Sequence, residues 1–245
     1  MRMFRLMALC AVLSVVGFGQ TGPSKENVVS PAAVNSAIDI AKAALKAHGG
    51  EKLSGIKTLT LSGSVAVTAS GAPQAIPATF AMIFAGEKYR LDINNPFQPL
   101  SQAFDGVNTH STAPNGFELP PVNRIGFIML SKVGDAKFPI TALLAASKKK
   151  SGFRITSPEG FYTDYFVDEK TGQLKGYESS YEVNGKVVTT SVAIDKCRLV
   201  DGVLVPEKFS QRFDLGQFTA YADFKAKEIV VNSAISDEIF SLTRK

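Results

Sequence analysis

In PAAVNSAIDIAKAALKAHGG, residues 31–50, apolar side chains recur every three or four positions: Val34, Ala37, Ile38, Ala41, Ala44 and Leu45. That spacing predicts one amphipathic helix. Ser30-Pro31 supplies a capping side chain and then proline at the first helical position. Lys42 and Lys46 lie toward the C-terminal end, where cations suit the helix dipole, and Gly49-Gly50 stops the run. Beyond Gly50 the period changes from about 3.6 to 2. In TLTLSGSVAVT, Leu59, Leu61, Val65 and Val67 point one way, and Thr58, Thr60, Ser62, Ser64 and Thr68 point the other. This is a strand with one dry and one wet face. Residues 76–84 repeat the pattern with Phe80, Met82 and Phe84 on one face, and shorter runs at 89–93, 101–105 and 108–112 read as further strands.

Glycine turns punctuate the rest of the chain: Asp105-Gly106, Glu159-Gly160, Thr171-Gly172, Asn184-Gly185, Asp201-Gly202 and Leu215-Gly216. Such dipeptides between alternating runs are hairpin signals, and Asn-Gly is the strongest of them. The long runs between 161 and 231 therefore predict an antiparallel meander rather than βαβ units. The exception is 120–150, where Pro121 and Pro139 each open a candidate short helix. The first carries Ile125, Phe127, Ile128, Met129 and Leu130. The second carries Ile140, Leu143 and Leu144 and ends in Lys148-Lys149-Lys150. The expectation is a mainly β (α+β) chain with about eleven strands and three helices, and no linker dividing residues 31–245 into two domains.

The N-terminus changes the picture. Arg2 and Arg5 precede an apolar run at residues 6–16, and Gly17 and Gly19 are small residues at −3 and −1 from a cut before Gln20. These are the three parts of a secretory signal, in a run too short to span a bilayer. Residues 1–19 are thus expected to be a signal peptide and 20–30 a flexible leader. Gly17, Gly19 and Gly22 also have the G-x-G-x-x-G spacing of a dinucleotide turn. That reading fails, because Thr21-Gly22-Pro23 is no helix start. Cleavage removes Cys10 and leaves Cys197 without an internal disulfide partner, so the core must hold the fold. The chain is 45% apolar, which is enough to build that core. Its net charge is +5, and loss of Arg2 and Arg5 leaves it only mildly basic. No Lys/Arg stripe interleaved with aromatics marks a nucleic-acid surface.

Groups for catalysis are sparse. His48 reads as a helix end closed by glycine, and His110 as an exposed residue after a turn. No G-x-S-x-G elbow accompanies His48-Gly49-Gly50, two histidines and one cysteine lack zinc spacing, and Asp168-Glu169-Lys170-Thr171-Gly172 lacks the alternating oxygens of a calcium loop. Asp164 and Asp168 read as ordinary carboxylates on a wet face. Cys197 reads as a buried small hydrophobe rather than a nucleophile. Neither a cofactor nor an enzymatic activity is expected.

Several phrases resemble, in order along the chain, a bacterial family related to the outer-membrane lipoprotein-sorting chaperones. They begin with Ala47-His48-Gly49-Gly50-Glu51-Lys52-Leu53 and Ile56-Lys57-Thr58-Leu59 with Gly63. Next come Lys88-Tyr89-Arg90-Leu91-Asp92, Phe104-Asp105-Gly106, and Val167 to Gly172. The last are Val200-Asp201-Gly202-Val203-Leu204-Val205-Pro206 and the closing segment from Asn232 to Phe240. The resemblance implies a half-open antiparallel β-barrel whose concave face is covered by helices and shelters acyl chains. On that footing the expected function is a periplasmic binding or carrier protein for a lipid, a lipoprotein acyl chain or another apolar ligand, in transient contact with a membrane surface or envelope proteins. The competing reading on the same fold is a structural or sensory envelope protein with a filled core and a protein partner. Phe80, Met82 and Phe84, with Phe127, Ile128 and Met129, are the candidate lining, since Met and Phe suit ill-defined apolar ligands. Arg90, in the resembling Lys88-to-Asp92 strand, joins them. Plain core packing is the alternative for each apolar residue. Lys148–Lys150 is a candidate contact for anionic lipid heads, set against a solvated helix end.

Overall fold

In the computed structural model, residues 31–69, 74–97, 99–112, 121–143, 151–183, 186–214 and 219–242 are described. Helix α1 (Pro31–Ala47) and a single turn, α2 (Glu51–Ser54), precede the first strands: β1 (Thr58–Ala69), β2 (Ile76–Ala85), β3 (Lys88–Asn94), β4 (Leu100–Phe104) and β5 (Thr109–Ser111). A 3₁₀ helix, Phe127–Lys132, leads into β6 (Ile140–Thr141), β7 (Gly152–Thr156), β8 (Tyr162–Val167) and β9 (Leu174–Val183). The strands β10 (Lys186–Val200), β11 (Val203–Asp214) and β12 (Thr219–Val231) come next, and a second 3₁₀ turn, Asp237–Phe240, closes the described chain. All twelve strands form one antiparallel sheet in the order β5-β4-β3-β2-β1-β12-β11-β10-β9-β8-β7-β6. The two halves of the meander meet where β1 pairs with β12, and the edges β5 and β6 do not pair with each other. The result is a half-open barrel.

One expectation changes. The twelve strands among the described residues agree with the expected number of about eleven, but one of them, β6, replaces the start of the helix expected after Pro139. Ile140 and Thr141 pair with Ile155 and Arg154 of β7 instead. A two-residue edge strand leaves no period to read, and its pairing comes from a distant segment. The signal peptide, the leader, Lys148–Lys150 and the turns Asn184-Gly185 and Leu215-Gly216 lie outside the described residues.

The dry faces of the strands converge on the concave side. Leu59, Leu61 and Val65 of β1 are buried with Phe80 and Phe84 of β2 and Phe224, Ile229 and Val231 of β12. Where β1 meets β12 the register shifts, so that Ser62 faces Glu228 but Gly63 faces Ala226. This bulge brings the backbones so close that a Cβ at Gly63 would collide with the Lys225 carbonyl. Over the other half of the concave face lies α1, which contacts β6 and β7. Its buried stripe is Ala37, Ala41 and Ala44. These small side chains let the helix lie close on the sheet.

His48 continues that stripe, four residues beyond Ala44, and is completely buried. Gly49 and Gly50, at φ 122° and 56°, turn the chain away after it. The Nδ1–H donates to the Leu204 carbonyl at 2.6 Å, and Nε2 accepts the Leu174 N–H at 3.0 Å. The His48 carbonyl in turn accepts the Leu204 N–H at 3.1 Å. One residue therefore ties the end of α1 to both β9 and β11. The two ring bonds require the neutral imidazole protonated on Nδ1. Burial lowers the His48 pKa and outweighs the Leu204 carbonyl, which raises it. The unfolded chain thus binds the proton more readily than the folded one. The contribution of His48 is full above the unfolded value of about 6.5 and is lost progressively as pH falls below it. Replacing His48 with Ala should cost about 3 kcal/mol at pH 7.5, because it opens a cavity and orphans the Leu174 N–H. Urea titrations at pH 7.5 and pH 5.5 check both points: the gap between wild type and His48→Ala should narrow at the lower pH.

Candidate functional site

Residues 121–133 cross the concave face opposite α1 and form a strap over the β1–β2 half of the sheet. Pro121 and the backbone of Gly126, at φ 78°, start the strap without a regular α-helix, and only the 3₁₀ segment Phe127–Lys132 comes after them. Three polar anchors hold it. Tyr165 Oη donates to the Gly126 carbonyl at 2.7 Å, and the Gly126 N–H donates to Thr163 Oγ1 at 3.0 Å. Asn123 Nδ2 donates to the Glu87 carbonyl at 2.6 Å. Arg124 pairs with Glu87 in the β2–β3 turn and, at 3.1 Å, with Glu159 in the β7–β8 turn, spanning the two halves of the barrel. Burial opposes ionisation of Glu87, but Arg124 and then Lys132 outweigh it and hold the carboxyl below its usual range. Met129 and Leu130 are fully buried and close the strap onto the core, where it meets α1 and α2.

Between the strap and the sheet is an apolar cavity of about 80 Å³. Its floor is Leu59, Leu61, Met82, Phe84 and Phe209, and its roof is Val122, Ile125, Phe127 and Ile128. Polar groups gather at one side, where Gln211 Nε2 donates to Thr190 Oγ1 at 2.7 Å and the Tyr177 ring faces Gly126. Burial raises the Tyr177 pKa, opposed by a hydrogen bond with the Phe127 backbone. The phenol is therefore neutral at physiological pH, and no charged residue lines the cavity. A larger hollow of about 970 Å³ has a mixed lining drawn chiefly from the outer face of β8–β12, including Glu178, Ser191, Ser210, Arg212 and Tyr221. Its charges of both signs make it a poor place for an apolar molecule.

Of the seven residues nominated by sequence, Met82, Phe84, Phe127 and Ile128 meet at the apolar cavity. Phe80 lies in the core with its ring edge-on to Phe224 at 5.0 Å, and Met129, on the strap itself, is fully buried against the core. Arg90 shares the outer face of β3 with Asp92. It donates to Asp92 at 2.7 Å and to the Ile239 carbonyl at 2.9 Å, which fixes the C-terminal 3₁₀ turn. Sequence reasoning missed Leu59, Leu61 and Phe209 as lining residues. Their alternation marked the dry face but not which stretch of it the strap covers.

The remaining candidates have structural partners. Asp164 is gripped by both nitrogens of the Arg154 fork at 2.6 and 2.7 Å. The Asp168 carboxyl accepts the N–H groups of Lys170 and Thr171. Its pKa is lowered to about 2, with Lys175 as the largest cause. Burial pushes the Cys197 thiol up to about 11, so it is no thiolate at neutral pH. His110 is exposed beside Asp105. Among the described residues, no group of three His, Cys, Asp or Glu side chains could hold a metal ion, and no helix is long and apolar enough to cross a membrane.

No protein-family model matches the chain, and no curated protein sequence matches it. Solved structures do. A LolA superfamily protein from Nitrosomonas europaea superposes with a TM-score of 0.52 at 11% identity, over 84% of this chain and 98% of that one. A domain from Vibrio parahaemolyticus, described as a candidate outer membrane lipoprotein-sorting protein, gives 0.48 at 7% identity over 84% and 97%. At such identities the likeness is one of fold, and it rests on the first of the two. The chain has a LolA-like fold: an open antiparallel barrel with a helix-covered concave face.

Gly126 is the strap's critical turn. An alanine there would bring a Cβ to 3.2 Å from the Tyr177 ring at a backbone angle that L side chains rarely adopt. Gly126→Ala should destabilise the protein by about 1–3 kcal/mol, read as a lower urea midpoint with an unchanged slope.

Proposed function

We propose that this chain is a periplasmic binding or carrier protein for an apolar ligand with an acyl chain, and that it acts without chemistry of its own. The observation that carries this reading is the uncharged apolar cavity between strap and sheet, lined by Met82, Phe84, Phe127 and Ile128 together with Leu59 and Leu61. Lipid chains lose about 0.8 kcal/mol per CH₂ exposed to water, so a carrier needs apolar contact more than it needs catalytic groups. The LolA-like fold supports the same reading. Residues 1–19 direct export in this proposal, and residues 31–245 work as one unit.

The cavity is narrow. At about 80 Å³ it falls well below the roughly 300–1,000 Å³ of small-molecule sites. An acyl chain therefore enters by lifting the strap away from β1 and β2, with Arg124 and the Gly126 contacts as the points of attachment. A carrier benefits from this, since a closed empty state keeps the greasy face dry between cargoes.

The test is binding of cis-parinaric acid, a fluorescent polyene fatty acid, to the exported chain. Wild type should bind it. Ile128→Glu places a charge in the cavity roof at a half-buried position and should weaken binding at least about tenfold, with the folded fraction of each protein read from its thermal transition. Equal binding by the two proteins would remove the cavity from the account.

A further inference from the structure

A second small hollow, of about 40 Å³, adjoins the apolar cavity and shares three of its lining residues, Leu59, Phe84 and Ile128. The two differ in what lies beyond those three. The apolar cavity continues to Leu61 and Met82. The small hollow continues to Lys57 on the sheet side and to Ser131 and Lys132 on the strap side. The register of β1 on β2 sets their order: Leu61 is opposite Met82, and Leu59 is opposite Phe84. One step further the Gly86 N–H donates to the Lys57 carbonyl at 3.1 Å. The two hollows are thus successive levels of one cleft between strap and sheet. Four residues of strand, about 13 Å, separate Leu61 from Lys57.

Strand alternation puts Lys57 on the same face as Leu59 and Leu61. Leu59 and Leu61 are buried and Lys57 is exposed, so the dry floor of the cleft ends at an ammonium group. Among the described residues, that ammonium has no hydrogen-bond or ion-pair partner; only the Lys57 backbone is engaged, its N–H donating to Asn232 Oδ1. On the strap side, Ser131 Oγ already donates to the Ile128 carbonyl at 2.7 Å. Lys132 Nζ lies 3.5 Å from a Glu87 oxygen and 5.5 Å from the centre of the Phe138 ring. That ion pair is long and largely exposed, so it holds Lys132 weakly. Glu87 has Arg124 as its stronger partner.

The cleft is therefore polarised. Both charged residues that line the small hollow are cations, and no charged residue lines the apolar cavity. The polar groups at the far side of that cavity are neutral and engaged: Gln211 donates to Thr190, and Tyr177 bonds the Phe127 backbone. An anion has nothing to meet there, whereas at the lysine end it meets two cations at a partly desolvated mouth. We propose that the ligand is an amphiphile with an anionic head, a carboxylate or a phosphate monoester, received by Lys57 and Lys132 while its acyl chain lies between strap and sheet. This rests on the apolar cavity as the acyl site and adds the charge and the direction of the ligand.

The experiment compares cis-parinaric acid with its methyl ester, which has the same chain and no charge, at about pH 8. The double variant Lys57→Gln, Lys132→Gln should weaken binding of the acid about fivefold to tenfold and change binding of the ester by less than about twofold. Lys57→Arg, Lys132→Arg should keep the affinity for the acid. Lys225→Gln, on the outer face of β12, is the control for overall charge and should alter neither probe. Dodecanoate, monododecyl phosphate and dodecanol, as competitors, separate the two heads. Whichever anion displaces the acid better, its advantage over dodecanol should vanish in the double variant. Thermal transitions establish that each variant is folded. Unchanged binding of the acid by the double variant, equal weakening of acid and ester, or the same loss in Lys225→Gln would overturn the proposal. If wild type binds both probes without regard to the lysines, this inference alone falls. If it binds neither, the acyl site falls with it.

Discussion

Curling twelve antiparallel strands without closing them leaves a concave face that has to stay dry. The face is too broad for its own side chains to fill, and its open edges allow no closure of the sheet upon itself. Two separate covers solve the problem. Helix α1 lies close on one half, with alanines as its fully buried stripe and Ile40 and Leu45 partly buried beside them, and the strap lies more loosely on the other. The difference in fit decides where a ligand has room. Under α1 the packing is tight, and under the strap a cavity remains.

His48 and Arg124 are the fasteners of these covers, and they differ in kind. His48 is buried, neutral and bonded on both ring nitrogens, so it holds α1 permanently at physiological pH. Arg124 is a more superficial clamp, reaching carboxylates at opposite ends of the barrel whose side chains are about half exposed. Exposed pairs are worth little, commonly under about 1 kcal/mol. Arg124 is only the outer clasp of the strap, whose anchors at Gly126 and Asn123 must also part if that cover is to lift. The acidic rim set by Glu87 and Glu159 also gives the strap's outer side a chemistry different from its apolar underside.

Much of this was legible in the residue pattern. The 3.6-to-2 change of period marked α1 and the strands, and the glycine turns marked the hairpins, because these signals are local. The pairing of β1 with β12 was not legible, since it joins segments more than 150 residues apart, and Ile140–Thr141 became a strand only because β7 offers it an edge. At the site, alternation placed Phe80, Met82 and Phe84 on one face, but it does not say where along that face the strap crosses. The aromatic neighbour of Phe80, Phe224, came from β12 and stacks in turn on Phe209 of β11. His48 read as a helix end, and its position on the Ala37-Ala41-Ala44 stripe was the available sign that it is buried.

The central claim is that the covered concave face carries acyl chains. It is tested most directly by purifying the protein from its native host without detergent and extracting it into organic solvent for mass spectrometry. Acyl lipid should appear in the extract in near-stoichiometric amount, and it should be depleted from Ile128→Glu purified in the same way. An extract free of acyl lipid, from protein that is folded by its thermal transition, would contradict the claim.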